Sequence, residues 1–194
     1  MEFIKENFLT SISLKENFLK TDNNYEKLQD VIKLIAERHY IGCKGLICGN
    51  GGSSCDAMHY AEELTGRFRK DRKALSAISL TDPSHITCVG NDFGFDQVFA
   101  RSVEAFGREG DYLIAISTSG NSMNVIKAVE KARELNMLVI GLLGNDGGVV
   151  KGMTDYSFVV NAKTSDRVQE VHILIIHTII EGIERLLFKE NYES

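Results

Sequence analysis

Five short apolar segments alternate with helical patterns after Gly42, and this alternation constrains the fold more than any other feature of the chain. The segments cover residues 45–48, 75–80, 112–117, 138–143 and 156–160. They are rich in Ile, Val and Leu without strict alternation, which is typical of strands buried on both faces. The helical patterns cover residues 53–67, 84–89, 95–107, 122–136 and 166–188. Strand–helix alternation predicts an α/β fold, a doubly wound three-layer αβα sandwich with a parallel sheet and right-handed crossovers.

The amino-terminal part of the chain contains helical patterns only. The sequence KENFL occurs twice, ten residues apart, which is nearly three helical turns and places both Phe-Leu pairs on one side. We predict an amphipathic helix that docks or dimerises, an interruption at residues 22–24 and a second helix over 25–40. Because 194 residues suffice for one full core, we expect a single domain, 1–194, with 1–41 as a helical extension.

The net charge of −5 at pH 7 argues against broad electrostatic binding to nucleic acid or to an anionic membrane surface. The longest apolar run, residues 173–176, is far shorter than the roughly 20 residues that span a bilayer. The four cysteines match neither a zinc ribbon nor a redox pair. We therefore expect a cytoplasmic protein with reduced cysteines and with neither a nucleic-acid nor a membrane partner.

Two loops of small residues follow predicted strands, and doubly wound folds bind ligands at such strand ends. Asn-Gly-Gly-Ser occupies residues 50–53, and Ser-Thr-Ser-Gly-Asn-Ser occupies residues 117–122. Glycine lets the backbone approach a ligand closely, and the helix that follows offers free N–H groups at the positive end of its dipole. The second loop adds four hydroxyl groups, so the two loops together predict a site for a phosphorylated small molecule. Neither loop fits a dinucleotide-binding or Walker pattern.

His59 and Glu63 lie four residues apart on the helix predicted after the first loop, and therefore on one face of it. Such a pair is usually an ordinary side-chain contact, and its single histidine distinguishes it from the His-Glu-x-x-His zinc pattern. The last predicted helix carries His177 among four isoleucines, where a lone histidine is most often a hydrogen-bonded core residue. The spacing alone therefore leaves a catalytic site and purely structural residues as alternatives.

Four longer segments occur in order along the chain: CGNGGSSCDAMHYAEELTGR, SHITCVGNDFGF, ISTSGNSMNVIKA and RVQEVHILIIH. Together they resemble the phosphoheptose isomerases of the sugar isomerase (SIS) superfamily over roughly residues 42–188. The resemblance implies a flavodoxin-like SIS fold with a five-stranded parallel sheet, and a homotetramer with active sites at its subunit interfaces. It also implies conversion of D-sedoheptulose 7-phosphate to D-glycero-D-manno-heptose 7-phosphate through an enediol, a step towards ADP-heptose and lipopolysaccharide.

The resemblance also assigns roles to individual residues of this chain. The expected substrate contacts are Asn50, Gly51, Gly52, Asn91, Asp92 and Gln169. The residues expected to hold the phosphate are Ser117, Thr118, Ser119 and Ser122. The expected acid/base pair is Glu63 and His177. Zinc, which family members can carry, is expected on His59, Glu63, Gln169 and His177. The chain departs from the family pattern at Ser54, where His or Ala is frequent, and we expect no consequence for the chemistry.

The implied reaction explains these residue types. Ketose–aldose isomerisation moves a proton between neighbouring carbons, so it needs a base, a proton donor to the oxygens and a means of stabilising the enediolate. Glutamate suits the first task once burial raises its pKa, and histidine suits the second near neutral pH. Zinc suits the third as a Lewis acid.

Two other functions remain as alternatives. A non-catalytic SIS protein would sense a sugar phosphate or act as a scaffold for a replication initiator. The presence of Glu63, Gln169 and His177 argues against this class, because a sensor or scaffold does not need acid/base groups. A related isomerase would act on another sugar phosphate, such as arabinose 5-phosphate, and the complete heptose-type segments argue against it.

Overall fold

One parallel sheet of five strands lies at the centre of the computed structural model, which describes residues 1–21 and 23–193. The strands are β1 (Gly45–Gly49), β2 (Ala77–Ser79), β3 (Tyr112–Ser117), β4 (Leu138–Gly144) and β5 (Tyr156–Val160). Their order across the sheet is β2-β1-β3-β4-β5, and each neighbouring pair is parallel. The predicted five-stranded parallel sheet is confirmed.

Helices cover both faces of the sheet and complete the predicted three-layer αβα sandwich. In the described ranges they are α1 (Phe3–Lys20), α2 (Asn24–Tyr40), α3 (Gly52–Thr65), α4 (Pro83–Phe93), α5 (Val98–Phe106), α6 (Met123–Glu134), α7 (Gly148–Lys151) and α8 (Ser165–Leu187). One hydrophobic core packs α1, α2, α3 and α8 against the sheet, and a second packs α4, α5, α6 and α7 against the opposite face. Strand β3 serves both cores, because Ile114 and Ile116 belong to the first core while Leu113 and Ala115 belong to the second.

Helix α4 is longer than the sequence pattern indicates, running over Pro83–Phe93 instead of 84–89. Its start is well defined, because Pro83 occupies the first turn and the Asp82 side chain accepts a hydrogen bond from the His85 N–H at 2.7 Å. The predicted helix ended before Gly90, a residue with low helix propensity. That glycine lies within α4 and does not interrupt it, and a Cβ there would meet only the Val98 side chain, at 3.9 Å.

Other boundaries differ at the edges of regular elements. The edge strand β2 has three residues rather than the predicted 75–80, and α5 follows a 3-10 turn at Phe95–Gln97. Helix α7 was not predicted, since four residues are too few to show a helical period. At the predicted interruption over 22–24, Asn23 has a left-handed φ of 54° and α2 begins with Asn24, whereas Asp22 lies outside the described residues.

Of the Phe and Leu residues predicted to share one side of the first helix, one lies in the core and the other three are exposed. Phe18 is buried and packs against Phe158, with the ring centroids 6.2 Å apart. Phe8, Leu9 and Leu19 are exposed. Helices α1 and α2 both pack against α8, so the predicted extension joins the helical layer on one face of the sheet. The apolar surface of α1 therefore exceeds what this chain itself covers.

Two histidines of that helical layer are buried. His39 Nε2 lies 2.9 Å from Tyr112 Oη, and His172 Nε2 lies 3.2 Å from the Leu143 carbonyl oxygen. Burial, together with the Arg72 charge, lowers the pKa of His39 to about 4. Burial also lowers the pKa of His172 to about 4. Both imidazoles are therefore neutral in the folded protein at pH 7.

These two histidines predict that the free energy of unfolding decreases on acidification. An unfolded histidine titrates near pH 6.5, so between about pH 4 and 6.5 the unfolded chain binds more protons than the fold. Stability is complete above this window and is lost as the pH falls through it, by up to about 3 kcal/mol per histidine. Urea unfolding at fixed protein concentration should show that the free energy of unfolding decreases as the pH falls through this window. In His172→Gln, the number of protons taken up on unfolding, which sets this pH dependence, should be smaller by about one. An unchanged pH dependence in the variant would contradict the prediction.

Candidate active site

Helices α3 and α8 pack side by side and run in the same direction. Near their starts, Gly52 on α3 meets Gln169 on α8, where a Cβ built on the glycine would lie 2.5 Å from the Gln169 amide nitrogen. Two turns later, His59 faces His177, with their Nε2 atoms 3.2 Å apart. This packing places α8 against α3, the helix that follows the first glycine-rich loop.

Three predicted site residues, His59, Glu63 and His177, form one cluster between these helices. Their ligand-type atoms all lie within 4.8 Å of one another. The His59 Nε2 atom is 3.3 Å from Glu63 Oε1, and the His177 ring stacks on Phe68 with centroids 5.9 Å apart. All three cluster side chains are half-buried, so a small ligand can reach them while much of the surrounding water is excluded.

His177 is not the core residue that its isoleucine neighbours suggested. The adjacent Ile176 is fully buried, whereas His177 is half-buried and faces His59. Partial burial and the neighbouring His59 lower the pKa of His177, against the opposing effect of Glu63. The neutral imidazole has one nitrogen that donates a hydrogen bond and one that accepts. The fully buried histidine of α8 is His172 instead.

The loop after β3 gathers its serine hydroxyl groups into a cup. Ser117 Oγ lies 3.4 Å from Ser119 Oγ and donates to Ser122 Oγ at 3.3 Å. It also accepts a hydrogen bond from the Gly120 N–H at 3.1 Å. The hydroxyl groups of these three serines therefore face one another, as a cradle for phosphate oxygens requires. Phosphate binding by residues 117–122 stays a prediction.

Three helix N-termini lie around this cup. Helix α6 begins directly after the loop, α3 begins at Gly52, and α8 begins at Ser165. The Ser165 hydroxyl donates to Thr118 Oγ1 at 3.2 Å, which attaches the start of α8 to the loop. Helix N-termini present unpaired N–H groups and a positive dipole end, and both favour a bound anion. The cup can thus hold a phosphate ester without a lysine.

Asn50 connects the first loop to the second. Its side-chain amide exchanges two hydrogen bonds with the buried Asn124 at the start of α6, at 2.9 and 2.8 Å. Gly51 has a φ of 55°, and Gly52 leaves room for the Gln169 amide, so backbone geometry explains both glycines. The structure gives Asn50 a positioning role, and direct contact of Asn50, Gly51 and Gly52 with substrate stays a prediction.

Comparison with known proteins identifies the family. The SIS domain family matches residues 9–144 of the chain. A phosphoheptose isomerase from Fusobacterium nucleatum is 56% identical over 185 residues, which cover 95% of this chain and 95% of that protein. The chain belongs to the phosphoheptose isomerase family. A second member, from Escherichia fergusonii, is 55% identical over 174 residues, covering 89% of this chain and 91% of that protein.

Solved structures agree with this family and with its fold. The phosphoheptose isomerase of Neisseria gonorrhoeae has a TM-score of 0.88 and 42% identity, covering 94% of this chain and 97% of that one. The NanR protein of Vibrio vulnificus, solved in complex with ManNAc-6P, has a TM-score of 0.69 at 16% identity, covering 98% of this chain and 64% of that one. The second likeness extends to the fold alone. The fold therefore does not by itself distinguish the phosphoheptose isomerase family from other proteins that share it.

Two residues that the family pattern places near substrate lie on the last turn of α4. Asn91 and Asp92 are both exposed, and the Asn91 amide donates to Asp92 Oδ1 at 2.7 Å. Asp92 Oδ2 also lies 3.6 Å from the Cys88 thiol. Their described hydrogen bonds are thus local to α4, and their contact with substrate stays a prediction.

Asp56 is a further polar residue of α3 that the sequence argument missed. It lies three residues before His59, and burial raises the pKa of its carboxyl group to about 6, against the opposing charge of His59. Its buried Oδ2 atom has no hydrogen-bond partner among the described residues. The helical spacing to His59 was the available signal, since residues three apart share a helix face.

Proposed function

We propose that the chain is an isomerase that converts D-sedoheptulose 7-phosphate to D-glycero-D-manno-heptose 7-phosphate, an early step of ADP-heptose and lipopolysaccharide biosynthesis. One observation carries the proposal: a Glu63–His177 cluster lies on two helices whose N-termini border a serine cup. The 56% identity to a phosphoheptose isomerase over nearly the whole chain supports the choice of substrate. A non-catalytic sensor or scaffold would not need the Glu63 carboxylate and the His177 imidazole of this cluster.

The serine cup binds the phosphate group in this proposal. Ser117, Ser119 and Ser122 supply hydroxyl groups, and the N-terminus of α6 supplies backbone N–H groups. From Gly52 to His59, α3 rises by about 10 Å, a distance that an extended seven-carbon chain can span. The phosphate would then be held at one end while the carbonyl carbon reaches the His59 cluster at the other.

Glu63 and His177 exchange the protons. The Glu63 carboxylate accepts the proton from the carbon beside the carbonyl and returns it to the neighbouring carbon. The neutral His177 donates a hydrogen bond to the substrate oxygens and moves protons between them as the enediol forms and collapses. Gln169, whose amide lies against Gly52, would bind hydroxyl groups of the sugar in this proposal.

The assay is isomerisation of D-sedoheptulose 7-phosphate by the purified chain, with arabinose 5-phosphate as the competing substrate. We expect turnover of the seven-carbon substrate and none of the five-carbon one. Tight binding of sedoheptulose 7-phosphate without turnover would favour the sensor alternative. Preferential turnover of arabinose 5-phosphate would instead identify the related isomerase.

We further propose that the cluster of His59, Glu63 and His177 binds Zn²⁺. The fourth expected ligand, Gln169, lies against Gly52, two helical turns from this cluster within the chain, so its place as a zinc ligand stays a prediction. The cluster fits this ion, because two ligands of a tetrahedral zinc at 2.0–2.1 Å lie about 3.3 Å apart. The observed separations are 3.2 Å between the two imidazole nitrogens and 3.3 Å from His59 to Glu63. When bound, zinc would supply Lewis-acid stabilisation of negative charge on the substrate oxygens.

Removal of zinc should lower kcat by about 100-fold or more, since Lewis-acid stabilisation contributes several kcal/mol. Metal analysis of the purified protein should find about one zinc per chain. His59→Gln should reduce this content, whereas Asn91→Ala, on the exposed end of α4, should retain it. Full activity in protein that is demonstrably free of metal would refute an essential zinc, and a hydrogen-bonded Glu–His site would replace it.

We also propose that the chain assembles as a homotetramer with its active sites at subunit interfaces. An apolar groove of about 410 Å³ between α1, α2 and α8 includes Leu19, Ile32 and Leu174 in its lining. On α1, Phe8 is 70% exposed and Leu9 is 55% exposed. Apolar surface of this extent on neighbouring helices is typical of obligate interfaces. In such an assembly a second copy could bring Asn91 and Asp92 to the substrate.

Light scattering at micromolar concentration should find a tetramer. Leu174→Glu, which places a charge in the apolar groove, should shift the protein to smaller species and lower its melting temperature, because obligate subunits depend on association. Val149→Glu is the matched control, since Val149 is a 56% exposed apolar residue on the opposite face of the sheet. A stable and active wild-type monomer would contradict the proposal.

A cytoplasmic location belongs to the same proposal. All four cysteines are free, which suits a reducing compartment. In the part of the chain that the structure describes, no helix combines the length and the apolarity needed to cross a bilayer. Fractionation of the native cells, with detection of the chain by antibody, tests the location directly.

A further inference from the structure

A buried ion pair connects the ends of the two helices that carry the site cluster. Arg72, in the segment after α3, donates from Nε to Glu184 Oε1 of α8 at 2.8 Å. Both side chains are 1% exposed. Neither residue belongs to the motifs that predicted the site, and neither has a part in the proton transfers described above.

The same guanidinium group binds the C-terminal end of α3. Its Nη2 donates to the Glu63 carbonyl oxygen at 2.6 Å, and its Nη1 donates to the carbonyl oxygens of Leu64 and Gly66 at 2.7 and 3.1 Å. The last carbonyl groups of a helix have no intrahelical partner and form the negative end of the dipole, so a cation satisfies both needs. Arg72 thus holds the main chain of the residue whose carboxylate belongs to the cluster.

On α8, Glu184 is held from two sides. Its Oε1 atom faces Arg72, and its Oε2 atom accepts a hydrogen bond from Tyr192 Oη at 2.7 Å. Burial and this hydrogen bond raise the pKa of Tyr192 to about 12. Glu184 lies seven residues after His177, which is two helical turns, so both side chains lie on one face of α8. Contacts link Glu63 to His59, His59 to His177, Glu184 to Arg72 and Arg72 to the Glu63 carbonyl oxygen, and helix α8 itself connects His177 to Glu184.

Stability alone does not account for this pair. A buried ion pair contributes little more than apolar residues of similar volume, because desolvation of both charges offsets their attraction. The planar guanidinium group, in contrast, fixes the direction of several hydrogen bonds at once, which a point charge does not. The Arg72–Glu184 pair is therefore better suited to fixing the distance between α3 and α8 than to stabilising their packing.

We propose that Arg72 is a positioning residue, and that its ion pair with Glu184 sets the spacing between Glu63 on α3 and His177 on α8 for proton transfer. The proposal rests on the proposed isomerase activity for its kinetic test. Misplacement of catalytic groups by about 1 Å can reduce turnover about 100-fold. Loss of the pair should therefore affect kcat, while the serine cup and hence KM remain nearly unchanged.

The test compares Arg72→Lys and Glu184→Gln with Asp111→Asn. Asp111 is a matched control, because it is buried, pairs with Lys44 and accepts from the Arg108 N–H, but lies before β3, at the sheet end opposite the cup. At a temperature where all variants are folded, we expect Arg72→Lys and Glu184→Gln to lower kcat by about 10- to 100-fold with KM within about threefold. Asp111→Asn should lower the melting temperature similarly and keep kcat within about twofold.

Crystal structures of the same variants give a readout that does not depend on turnover. The separation between the His59 and His177 Nε2 atoms should change in Arg72→Lys and stay the same in Asp111→Asn. An unchanged kcat in both Arg72→Lys and Glu184→Gln would overturn the proposal. So would an equal loss of kcat in Asp111→Asn at equal loss of melting temperature. A wild-type protein without isomerase activity would refute the proposed function, while the crystallographic comparison would still decide whether Arg72 sets the spacing.

Discussion

Glu63→Gln is expected to lower kcat for isomerisation by about two to four orders of magnitude, the usual contribution of a positioned general base. Glutamine keeps the size of the side chain and its ability to bond to His59, which lies 3.3 Å from Glu63 Oε1, but it cannot accept a proton at neutral pH. Steady-state kinetics with sedoheptulose 7-phosphate measure the loss. Solvent deuterium exchange at the carbon beside the carbonyl should disappear as well.

Ser119→Ala is the matched control for that experiment. Ser119 belongs to the serine cup, with its Oγ 3.4 Å from Ser117 Oγ, and takes no part in proton transfer. Its loss should raise KM by about tenfold and change kcat little, because binding is weakened equally in the ground and transition states. The two variants should therefore separate on the kcat and KM axes. Wild-type exchange and turnover in Glu63→Gln would show that the base is another group.

His177→Asn completes the comparison, because a structural histidine and a catalytic one predict different outcomes. The position of His177, half-buried and 3.2 Å from His59, favours the catalytic role, with a loss in kcat similar to that of Glu63→Gln. A structural residue would instead lower the melting temperature and leave the activity per folded protein unchanged. Thermal unfolding and kinetics on the same preparation distinguish the two.

Much of the fold could be predicted because buried parallel strands leave a strong signal. The predicted bounds of the third and fifth strands coincide with β3, which is buried throughout inside the sheet, and with β5, a partly buried strand at its edge. The length of edge strand β2 was overestimated. Only three of its residues pair with β1, and the flanking apolar residues of the predicted segment pack into the core without being part of the strand. Short elements such as α7 carry no period to detect.

The candidate site was only partly accessible from sequence. The spacing of His59 and Glu63 places both on one helix face, but the approach of His177 depends on how α3 and α8 pack, which no local pattern encodes. The same holds for Arg72 and Glu184, which are 112 residues apart. Single-chain packing also gives no information on Asn91 and Asp92, whose expected role would depend on a second subunit.

The second large effect is predicted for a substitution at Gly120, in the loop of residues 117–122 that is proposed to bind the phosphate. Gly120 has a φ of 65°, which side chains rarely adopt, and a Cβ there would overlap the carbonyl group of Gly147 in the next loop. The Gly120 N–H also donates to Ser117 Oγ, so the backbone at this position orients the serine cup. A side chain at Gly120 must therefore displace one loop or the other.

Gly120→Ala is expected to raise KM for the sugar phosphate by at least about tenfold and to destabilise the protein by about 2 kcal/mol more than the matched variant Gly42→Ala. Gly42 has a similar positive φ of 88°, but no atom lies within 4 Å of a Cβ built there. Its alanine variant therefore reports the backbone strain alone, about 1 kcal/mol, and leaves the loops intact. The difference between the two variants isolates the overlap with Gly147. Equal stability losses with an unchanged KM in Gly120→Ala would mean that the cup tolerates displacement and that phosphate binding depends on other groups.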